Sequence, residues 1–355
     1  MPVPPKKHLL ELDRVVNESL ERSSFFRMDK NENLEGFSDE VIFKIREIIT
    51  SDFLTSYPEV NPLYSKLADH LRTDKKNIFL TSGSDAGIKA TFEVFVEPGD
   101  EVIIIHPTYA MYYVYSKMFK ARLLKVCFDE KVTLSPSQLI DKISPSTKLI
   151  CIANPNSPTG TIIPNKDLEN IIAVASKNNS LVLIDEAYYQ FLGNSMACLI
   201  NDYNNLIISR TFSKALGLAS ARLGYIVSNF DIISHLHRVR PMYEVNSFAV
   251  ALGLYLLNNP NLVESHVKEI GRSRKWIERE LSKSGFRTLP GHANFILINV
   301  GGKERAQKIA EDLYKEKIVI KGGFNDPCLQ SYIRVGLGSL KQMEYFLKIF
   351  RKVLV

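Results

Sequence analysis

A lysine beside hydroxyl and apolar side chains is the most reactive candidate in the sequence. Lys214 ends the run Ser209-Arg210-Thr211-Phe212-Ser213-Lys214, and Arg222 follows eight residues later. A lysine that forms imines must spend time deprotonated, which burial and neighbouring positive charge favour. Phe212 and Leu216 would supply apolar walls. A lone lysine usually lies on the surface, so this assignment depends on the other motifs.

Two carboxylates follow an apolar run that has the character of a buried strand. The run Leu181-Val182-Leu183-Ile184 leads directly into Asp185-Glu186-Ala187-Tyr188. An acid at the end of a buried strand is partly desolvated, so it needs a cationic or hydrogen-bonded partner. A protonated pyridine nitrogen would be such a partner.

Two loops with unusual composition could position a ligand. Thr81-Ser82-Gly83-Ser84-Asp85 separates the short run Ile78-Phe79-Leu80 from a helix-like segment, Ala86 to Val96. Small residues at a helix start leave backbone N–H groups free for an anion, although an ordinary N-cap has the same composition. The loop Asn154-Pro155-Asn156-Ser157-Pro158-Thr159-Gly160 follows another apolar run and suits either a positioning role or a plain turn.

The elements that carry these motifs alternate between short apolar runs and longer amphipathic segments, which predicts an α/β fold with a mostly parallel central sheet flanked by helices. Loops at the carboxyl ends of parallel strands converge on one crevice. The predicted strands are Glu101–Ile105, Lys148–Ala153, Leu181–Asp185, Leu206–Arg210 and Leu223–Val227.

The pattern changes near Ser247 and predicts a smaller α+β domain. Helical stretches at Phe248–Asn258 and from Pro260 to about Ser284 precede strand-like pieces at Phe295–Val300 and Tyr332–Gly336. We therefore expect an N-terminal arm (1–45) that joins the small domain, a large ligand-binding domain (46–246) and a small C-terminal domain (247–355).

Composition narrows the class of partner. The chain has 355 residues, 45% of them hydrophobic, and its 45 basic residues exceed its 39 acidic ones by six without forming a run. This suits small anionic substrates better than nucleic acid. Four scattered cysteines without a C-x-x-C pair suggest neither a metal site nor a disulfide. With no signal-like segment in Met1–Asn17 and no long apolar span, we expect a soluble, cytoplasmic protein without a membrane partner.

Taken in order, these motifs resemble those of fold-type I enzymes that use pyridoxal 5'-phosphate (PLP), specifically the class I/II aminotransferases. The likeness is greatest to the histidinol-phosphate aminotransferase subgroup. It extends over nearly the whole chain, from Met28-Asp29-Lys30-Asn31-Glu32-Asn33 to Tyr332-Ile333-Arg334-Val335-Gly336.

The resemblance implies three catalytic residues. Lys214 would bind PLP as a Schiff base and then move the proton between the substrate Cα and the cofactor C4′. Asp185 would keep the pyridine nitrogen protonated, and Tyr188 would hydrogen-bond the ring hydroxyl. The substrates would be a small amino donor and an acceptor.

The resemblance also implies binding residues and a homodimer with shared active sites. Tyr109 would stack on the pyridine ring. Tyr57 would reach the cofactor phosphate from the partner subunit. Arg334 would bind the acidic group of the substrate through its planar fork, and Asn31 is assigned to the substrate side. The phosphate would be surrounded by Ser84, Asp85, Ser213 and Arg222.

Departures from the family pattern leave the substrate open. Ser157 stands where the family usually has an asparagine that bonds the ring hydroxyl, so Ser157 or its neighbour Asn156 must take that role. Lys321 replaces a phosphate-binding arginine, which exchanges a planar fork for a point charge. Glu244 would repel a dianion unless Arg240 pairs with it.

Transamination of a small, phosphorylated amine or amino acid is the leading hypothesis. The alternative is decarboxylation of phosphoserine or phosphothreonine, because the same cofactor serves both reactions and the sequence does not show which bond stands perpendicular to the ring. A nicotinamide dehydrogenase is disfavoured, since Gly83-Ser84-Asp85-Ala86-Gly87 lacks the G-x-G-x-x-G spacing. A non-catalytic PLP-binding regulator is also disfavoured. It would need a DNA-binding appendage or lack the lysine, and the sequence shows neither feature.

Overall fold

The computed structural model describes residues 3, 5–10, 12 and 21–354. Most of the stretch 1–17, in which no signal peptide is predicted, lies outside the described residues. The strands are β1 (Phe26–Arg27), β2 (Ile78–Thr81), β3 (Glu101–His106), β4 (Arg122–Cys127), β5 (Thr147–Ala153), β6 (Leu181–Asp185), β7 (Leu206–Thr211), β8 (Gly224–Ser228), β9 (Arg287–Leu289), β10 (Phe295–Asn299), β11 (Ile318–Val319) and β12 (Tyr332–Gly336).

Helices separate most of the strands. Asparagine or serine side chains accept a backbone N–H at the start of several of them, as Asn246 does from Ala249. The helices are α1 (Asp39–Ile48), α2 (Ser51–Thr55), α3 (Asn61–Leu71), α4 (Ser84–Phe95), α5 (Ala110–Met118), α6 (Pro136–Ile140), α7 (Asn165–Lys177), α8 (Tyr189–Leu192), α9 (Phe230–Leu236), α10 (Ser247–Asn258), α11 (Pro260–Lys283), α12 (Lys303–Lys315) and α13 (Leu340–Val353).

The largest sheet has seven strands in the order β2-β8-β7-β6-β5-β3-β4. Strands β4, β3, β5, β6 and β7 run parallel, whereas β8 is antiparallel to both of its neighbours. The predicted mostly parallel sheet is therefore confirmed, and each of the five predicted strands agrees with an observed one to within a residue at either end.

Helices cover both faces of this sheet, because successive strand residues point to opposite sides. Ile103 and Ile150 belong to one apolar cluster, and their neighbours Val102 and Leu149 belong to another. The sequence pattern did not predict β4. At the sheet edge, β4 buries Val126 alone, so it lacks the continuous apolar run of an inner strand.

A second unit contains a three-stranded antiparallel sheet, in the order β12-β10-β9, and a separate apolar cluster. The chain before α1 joins this unit, because β1 pairs in parallel with β11 and Met28 is buried in the cluster. The sequence pattern did not predict the short strand β9.

Two observations bear on the predicted domain boundaries at residues 46 and 247. Residue 46 falls inside α1 (Asp39–Ile48). The boundary before 247 would assign α10 to the small domain, yet Ala249 and Leu256 of α10 are buried in the core of the large sheet. Along α11, Val263 packs against the first core and Ile270 packs in the second, so the helix passes from one core to the other between these residues. The domain division stays a prediction.

Within the described part of the chain, no helix combines the length and the apolar character needed to cross a bilayer.

Candidate active site

A cavity of about 480 Å³ opens at the carboxyl-terminal edge of the large sheet. Strands β5, β6 and β7 bring Ala153, Asp185 and Thr211 to it, as expected for a parallel sheet. The second unit closes the other side. Twelve of the predicted site residues line this one cavity: Asn31, Ser84, Asp85, Tyr109, Ser157, Asp185, Tyr188, Ser213, Lys214, Arg222, Lys321 and Arg334.

A neighbouring cavity of about 430 Å³ shares Thr211 as a wall but has a different character. Most of its lining is apolar and comes from α10, α11 and the chain around Phe212. Its Arg210 is already paired, with Nη2 2.9 Å from Oε2 of Glu186 in a nearly fully buried ion pair. None of the predicted site residues lines it, so the chemistry belongs to the first cavity.

The start of α4 forms a cup for an anion. Its N-cap is Gly83, whose φ of +80° favours glycine, and a Cβ there would lie 2.5 Å from Nη2 of Arg222. Arg222 also donates to Oγ of Ser213 over 3.5 Å. On the other side, a Cβ on Gly224 would collide with the amide nitrogen of Ser84. Backbone amides, a hydroxyl and a guanidinium thus converge where a phosphate fits.

Asp185 lies buried at the end of β6. Tyr112 donates to its Oδ2 over 3.1 Å, and the amide of Ala187 donates to its Oδ1 over 3.0 Å. Burial raises the pKa of Asp185 to about 6, although these two hydrogen bonds oppose the rise. A cation beside this carboxylate would compensate the cost of burial.

Lys214 extends across the cavity from the loop after β7. Its Nζ donates to the carbonyl oxygen of Lys30 over 2.8 Å and lies 5.8 Å from the ring centroid of Tyr188. The hydroxyl of Tyr188 accepts from Nδ2 of Asn31 over 2.8 Å. The amine of Lys214 is therefore held between the two units.

Tyr109 forms an aromatic wall of the cavity. Its ring meets that of Tyr112 edge-to-face, with centroids 5.7 Å apart, and its hydroxyl donates to Oδ1 of Asp85 over 3.3 Å. Burial, followed by the charge of Asp85, raises the pKa of Tyr109 above its ordinary range. The phenol therefore stays neutral.

Two cations project from the second unit. The residues Lys321 and Arg334 face each other across a backbone bridge, and both line the cavity. Nη2 of Arg334 donates to the carbonyl oxygen of Asp29 over 2.6 Å, and Nη1 donates to Oγ of Ser157 over 3.3 Å. Nε of Arg334 is buried without a hydrogen-bond partner. Burial lowers the pKa of the Arg334 guanidinium. Lys321 is exposed at the cavity mouth.

Asn156, predicted beside Ser157 as a possible partner of the ring hydroxyl, does not line the cavity. Its Nδ2 donates to the Pro107 carbonyl and to Oγ1 of Thr159, and its Oδ1 accepts from Oγ1 of Thr108. These bonds turn the amide away from the cavity and leave Ser157 facing it. Asn156 supports the loop from behind.

Tyr57 also lies outside this cavity. Its side chain is 72% exposed and stacks on Tyr243, with ring centroids 4.1 Å apart. The sequence prediction assigned Tyr57 to the active site of a partner subunit, and its exposed position suits that assignment.

Sequence reasoning missed several residues of the site. Tyr112 contacts Asp185, and Phe324 lines the cavity beside Lys321. Tyr112 could have been found from its spacing, because it lies three residues after Tyr109, at the spacing of one helical turn. Phe324 follows a glycine pair in a loop, where no periodicity marks it.

The cavity suits PLP, because each polar part of that molecule finds a partner in it. The anion cup fits the phosphate, the buried Asp185 fits a protonated ring nitrogen, and Lys214 fits the aldehyde. A parallel sheet with these groups at its strand ends defines the PLP-dependent enzymes of fold-type I.

Comparison with known proteins assigns the family. The model of the aminotransferase class I and II family matches residues 25–350. A histidinol-phosphate aminotransferase of Caldanaerobacter subterraneus subsp. tengcongensis is 32% identical over 333 residues, which cover 93% of each chain. The chain belongs to the class I and II aminotransferases, and it is a PLP-dependent enzyme of that family.

Solved structures agree with this assignment. The histidinol-phosphate aminotransferase of Sinorhizobium meliloti in complex with PLP is similar with a TM-score of 0.84 and 26% identity, covering 98% of this chain and 97% of that one. An L-threonine-O-3-phosphate decarboxylase of Porphyromonas gingivalis has a TM-score of 0.77 at 19% identity, covering 92% and 99% of the two chains. That second likeness shows the shared fold alone.

Proposed function

We propose that this aminotransferase exchanges the amino group of a small phosphorylated amine, with Lys214 as the residue that binds PLP and moves the proton. When bound, PLP supplies an electron sink for the charge that develops at the substrate carbon. The main support for this proposal is that one cavity holds Lys214, the buried Asp185 and the cup at α4. The cations Lys321 and Arg334 lie opposite them.

Each residue of the large unit has a role that its contacts support. The amides at the start of α4, Ser213 and Arg222 hold the phosphate, with Asp85 anchoring Tyr109 at the ring face. The carboxylate of Asp185 keeps the ring nitrogen protonated. Tyr188 and Ser157 are the hydroxyls available to the ring oxygen. Lys214 gives and takes the proton at the substrate Cα.

The cations of the second unit favour a phosphorylated substrate. Directly opposed residues of an antiparallel pair project to the same face, so Lys321 and Arg334 can converge on one anion. Glu244 does not line the cavity, and its Oε1 accepts from the amide of Ser82 over 3.1 Å. The names of the relatives lead us to propose L-histidinol phosphate as the amine. Asn31 would contact the substrate beside Tyr188.

A half-reaction screen tests this function. The PLP form of the enzyme is mixed with L-histidinol phosphate, O-phosphoserine or O-phosphothreonine, and the visible spectrum and released carbon dioxide are measured. We expect histidinol phosphate to convert the enzyme to its pyridoxamine form without carbon dioxide. Release of carbon dioxide from either phosphoamino acid would identify the decarboxylase instead.

Matched lysine variants test the proposed role of Lys214. Lys214→Ala should abolish turnover and remove the visible absorption band of lysine-bound PLP, because the variant lacks the amine that binds the aldehyde and moves the proton. Lys177→Ala, at an exposed position near the end of α7, should leave both unchanged. Turnover by the Lys214→Ala protein would refute the assignment.

We also propose a homodimer with shared active sites. Tyr57 stacks on the half-exposed Tyr243, and nearby Met242 and Leu54 are 83% and 60% exposed. Exposed apolar side chains concentrated in this way are typical of interaction surfaces. Sedimentation at the assay concentration tests this proposal, and an active monomer would contradict it.

We further infer that the enzyme works in the cytoplasm on small molecules, with neither nucleic acid nor membrane as a partner. The scattered basic residues support this inference. Cell fractionation with an antibody against the chain tests the location.

A further inference from the structure

A hydrogen-bonded chain joins the second unit to the end of β3. Nε2 of His106, the last residue of β3, lies 2.9 Å from Oδ1 of Asp326 in the second unit. The other ring nitrogen, Nδ1, lies 2.5 Å from the hydroxyl of Tyr113 on α5. Both His106 and Asp326 are 27% exposed in their side chains, so neither is freely solvated.

The partners determine where the protons lie in this chain. A carboxylate accepts hydrogen bonds and does not donate them, so Nε2 of His106 carries the hydrogen that Asp326 accepts. Burial lowers the pKa of His106, which favours the neutral ring, and Nδ1 then accepts from the hydroxyl of Tyr113. Asp326 is thereby fixed to two elements of the large unit.

Asp326 ends a short segment that faces the active site. This substrate-side segment, residues 321–326, begins at the backbone bridge between Lys321 and Arg334. Lys321 and Phe324 line the cavity, whereas Asp326 and His106 do not. The bridge holds one end of the segment, and the contact with His106 holds the other.

An apolar cluster supports the same segment. Phe324 packs with Leu329 and with Val132, which comes from the loop after β4 in the large unit. Apolar contact excludes water without fixing direction, whereas a hydrogen bond at Asp326 also fixes an angle. The position of Phe324 and Lys321 over the cavity therefore depends on the polar contact between Asp326 and His106.

We propose that His106 and Asp326 are positioning residues that hold the substrate-side segment over the active site and so determine how tightly the amine binds. The proposal rests on the substrate-side role proposed above for Lys321. The two residues act through Lys321 and Phe324 and touch neither the cup nor Lys214. Their loss should therefore affect the substrate and spare the cofactor.

Alanine variants of the two residues test the proposal. Asp326→Ala and His106→Ala should each raise KM for L-histidinol phosphate about tenfold, because small misplacements of binding groups are costly. The double variant should be no worse than either single one, since each removes the same contact. PLP affinity, measured by titration of the visible band, should stay within about twofold.

Two further variants separate positioning from a structural effect. Asp326→Asn keeps an oxygen that accepts from Nε2 of His106, so it should restore most of the wild-type KM. Glu316→Ala breaks an exposed ion pair of the second unit, in which Nζ of Lys352 lies 2.8 Å from Oε1 of Glu316, and should change no parameter. An equal rise of KM in Asp326→Asn and Asp326→Ala would refute the proposal.

Hydrogen exchange of the backbone provides a readout that needs no substrate. Peptides that contain residues 321–329 should exchange faster in Asp326→Ala and His106→Ala than in the wild type, while peptides from α4 should not change. Unchanged exchange of the segment would overturn the positioning role. Failure of the wild-type enzyme to accept histidinol phosphate would instead refute the proposed function, and the exchange result would stand on its own.

Discussion

Tyr112 donates a hydrogen bond of 3.1 Å to the carboxylate of Asp185, and both side chains are buried beneath the active-site cavity. The acid is therefore held in one orientation by an aromatic residue of α5 and by the amide of Ala187. Two neutral donors do not fully compensate the burial of a charge, which is why the pKa of Asp185 is raised to about 6.

The raised pKa of Asp185 should make the PLP-free protein less stable above pH 6. The unfolded chain loses this proton near pH 4 and the folded chain near pH 6, so stability falls as the pH rises through that window. Asp185→Asn should raise the free energy of unfolding by up to about 3 kcal/mol at pH 8 and by roughly half as much at pH 5.

Urea unfolding of the PLP-free proteins at the two pH values measures this difference. Asp202→Asn, at an exposed position, serves as the control and should give nearly equal stabilities to the wild type at both pH values. A constant difference between the Asp185→Asn protein and the wild type would show that Asp185 titrates as it does in the unfolded chain.

Gly83→Ala should weaken PLP binding at least about tenfold, because the new Cβ would displace the guanidinium of Arg222 from the cup. Gly99→Ala is a matched control: Gly99 has a φ of +98°, but a Cβ added there would have no atom within 4 Å, so it should cost only backbone strain of about 1–2 kcal/mol. Equilibrium titration with PLP distinguishes the two variants. Equal PLP affinities would mean that Arg222 does not need its present position.

Lys321→Ala tests whether the substrate carries a phosphate. If Lys321 binds that group, KM for L-histidinol phosphate should rise about 10- to 100-fold, the loss of one charge-assisted hydrogen bond, while KM for L-histidinol changes little. Lys308→Ala, at an exposed position on α12, should affect neither substrate. Equal effects of Lys321→Ala on both substrates would exclude a phosphate-binding role.

Mixed dimers test whether Tyr57 serves the partner's active site. Tyr57→Ala and Lys214→Ala proteins should each be nearly inactive alone. After equal amounts are unfolded and refolded together, half of the dimers combine one chain of each kind, and one of their two sites is intact. Activity should then return to about one quarter of the wild-type value. No recovery, with mixed dimers detected by mass, would place Tyr57 in its own chain's site, whereas full activity of the Tyr57→Ala protein alone would show that Tyr57 serves neither site.

The inner strands could be predicted from the sequence because burial on both faces leaves a continuous apolar run. β6 (Leu181–Asp185) was predicted to the residue, and the acid at its end marked the site. The edge strand β4 has no such run. It lies at the border of the sheet and buries Val126 alone. The division between the units is hard to predict from the sequence, because α10 is apolar whichever core it joins. Its packing against α3 and the first core is visible only in the fold.

Side-chain direction inside loops could not be read from the sequence. Asn156 and Ser157 are neighbours in one loop, and either could have met the ring hydroxyl. The direction of Asn156 depends on hydrogen bonds with Thr108 and Pro107, which lie nearly fifty residues earlier in the chain. The contact between His106 and Asp326 is equally invisible, because it joins two units across 220 residues of sequence.

The helix α11 extends for 24 residues, or about 36 Å at 1.5 Å per residue. Val263 near its start packs on the first core, and Ile270 and Ile277 pack in the second. Each added residue would turn the later part by about 100°, moving Arg334 away from Ser157. The length of α11 therefore determines the angle between the two units of the enzyme. Insertions and deletions should be tolerated at its ends, as in the open turn at Gly285, and rejected within it.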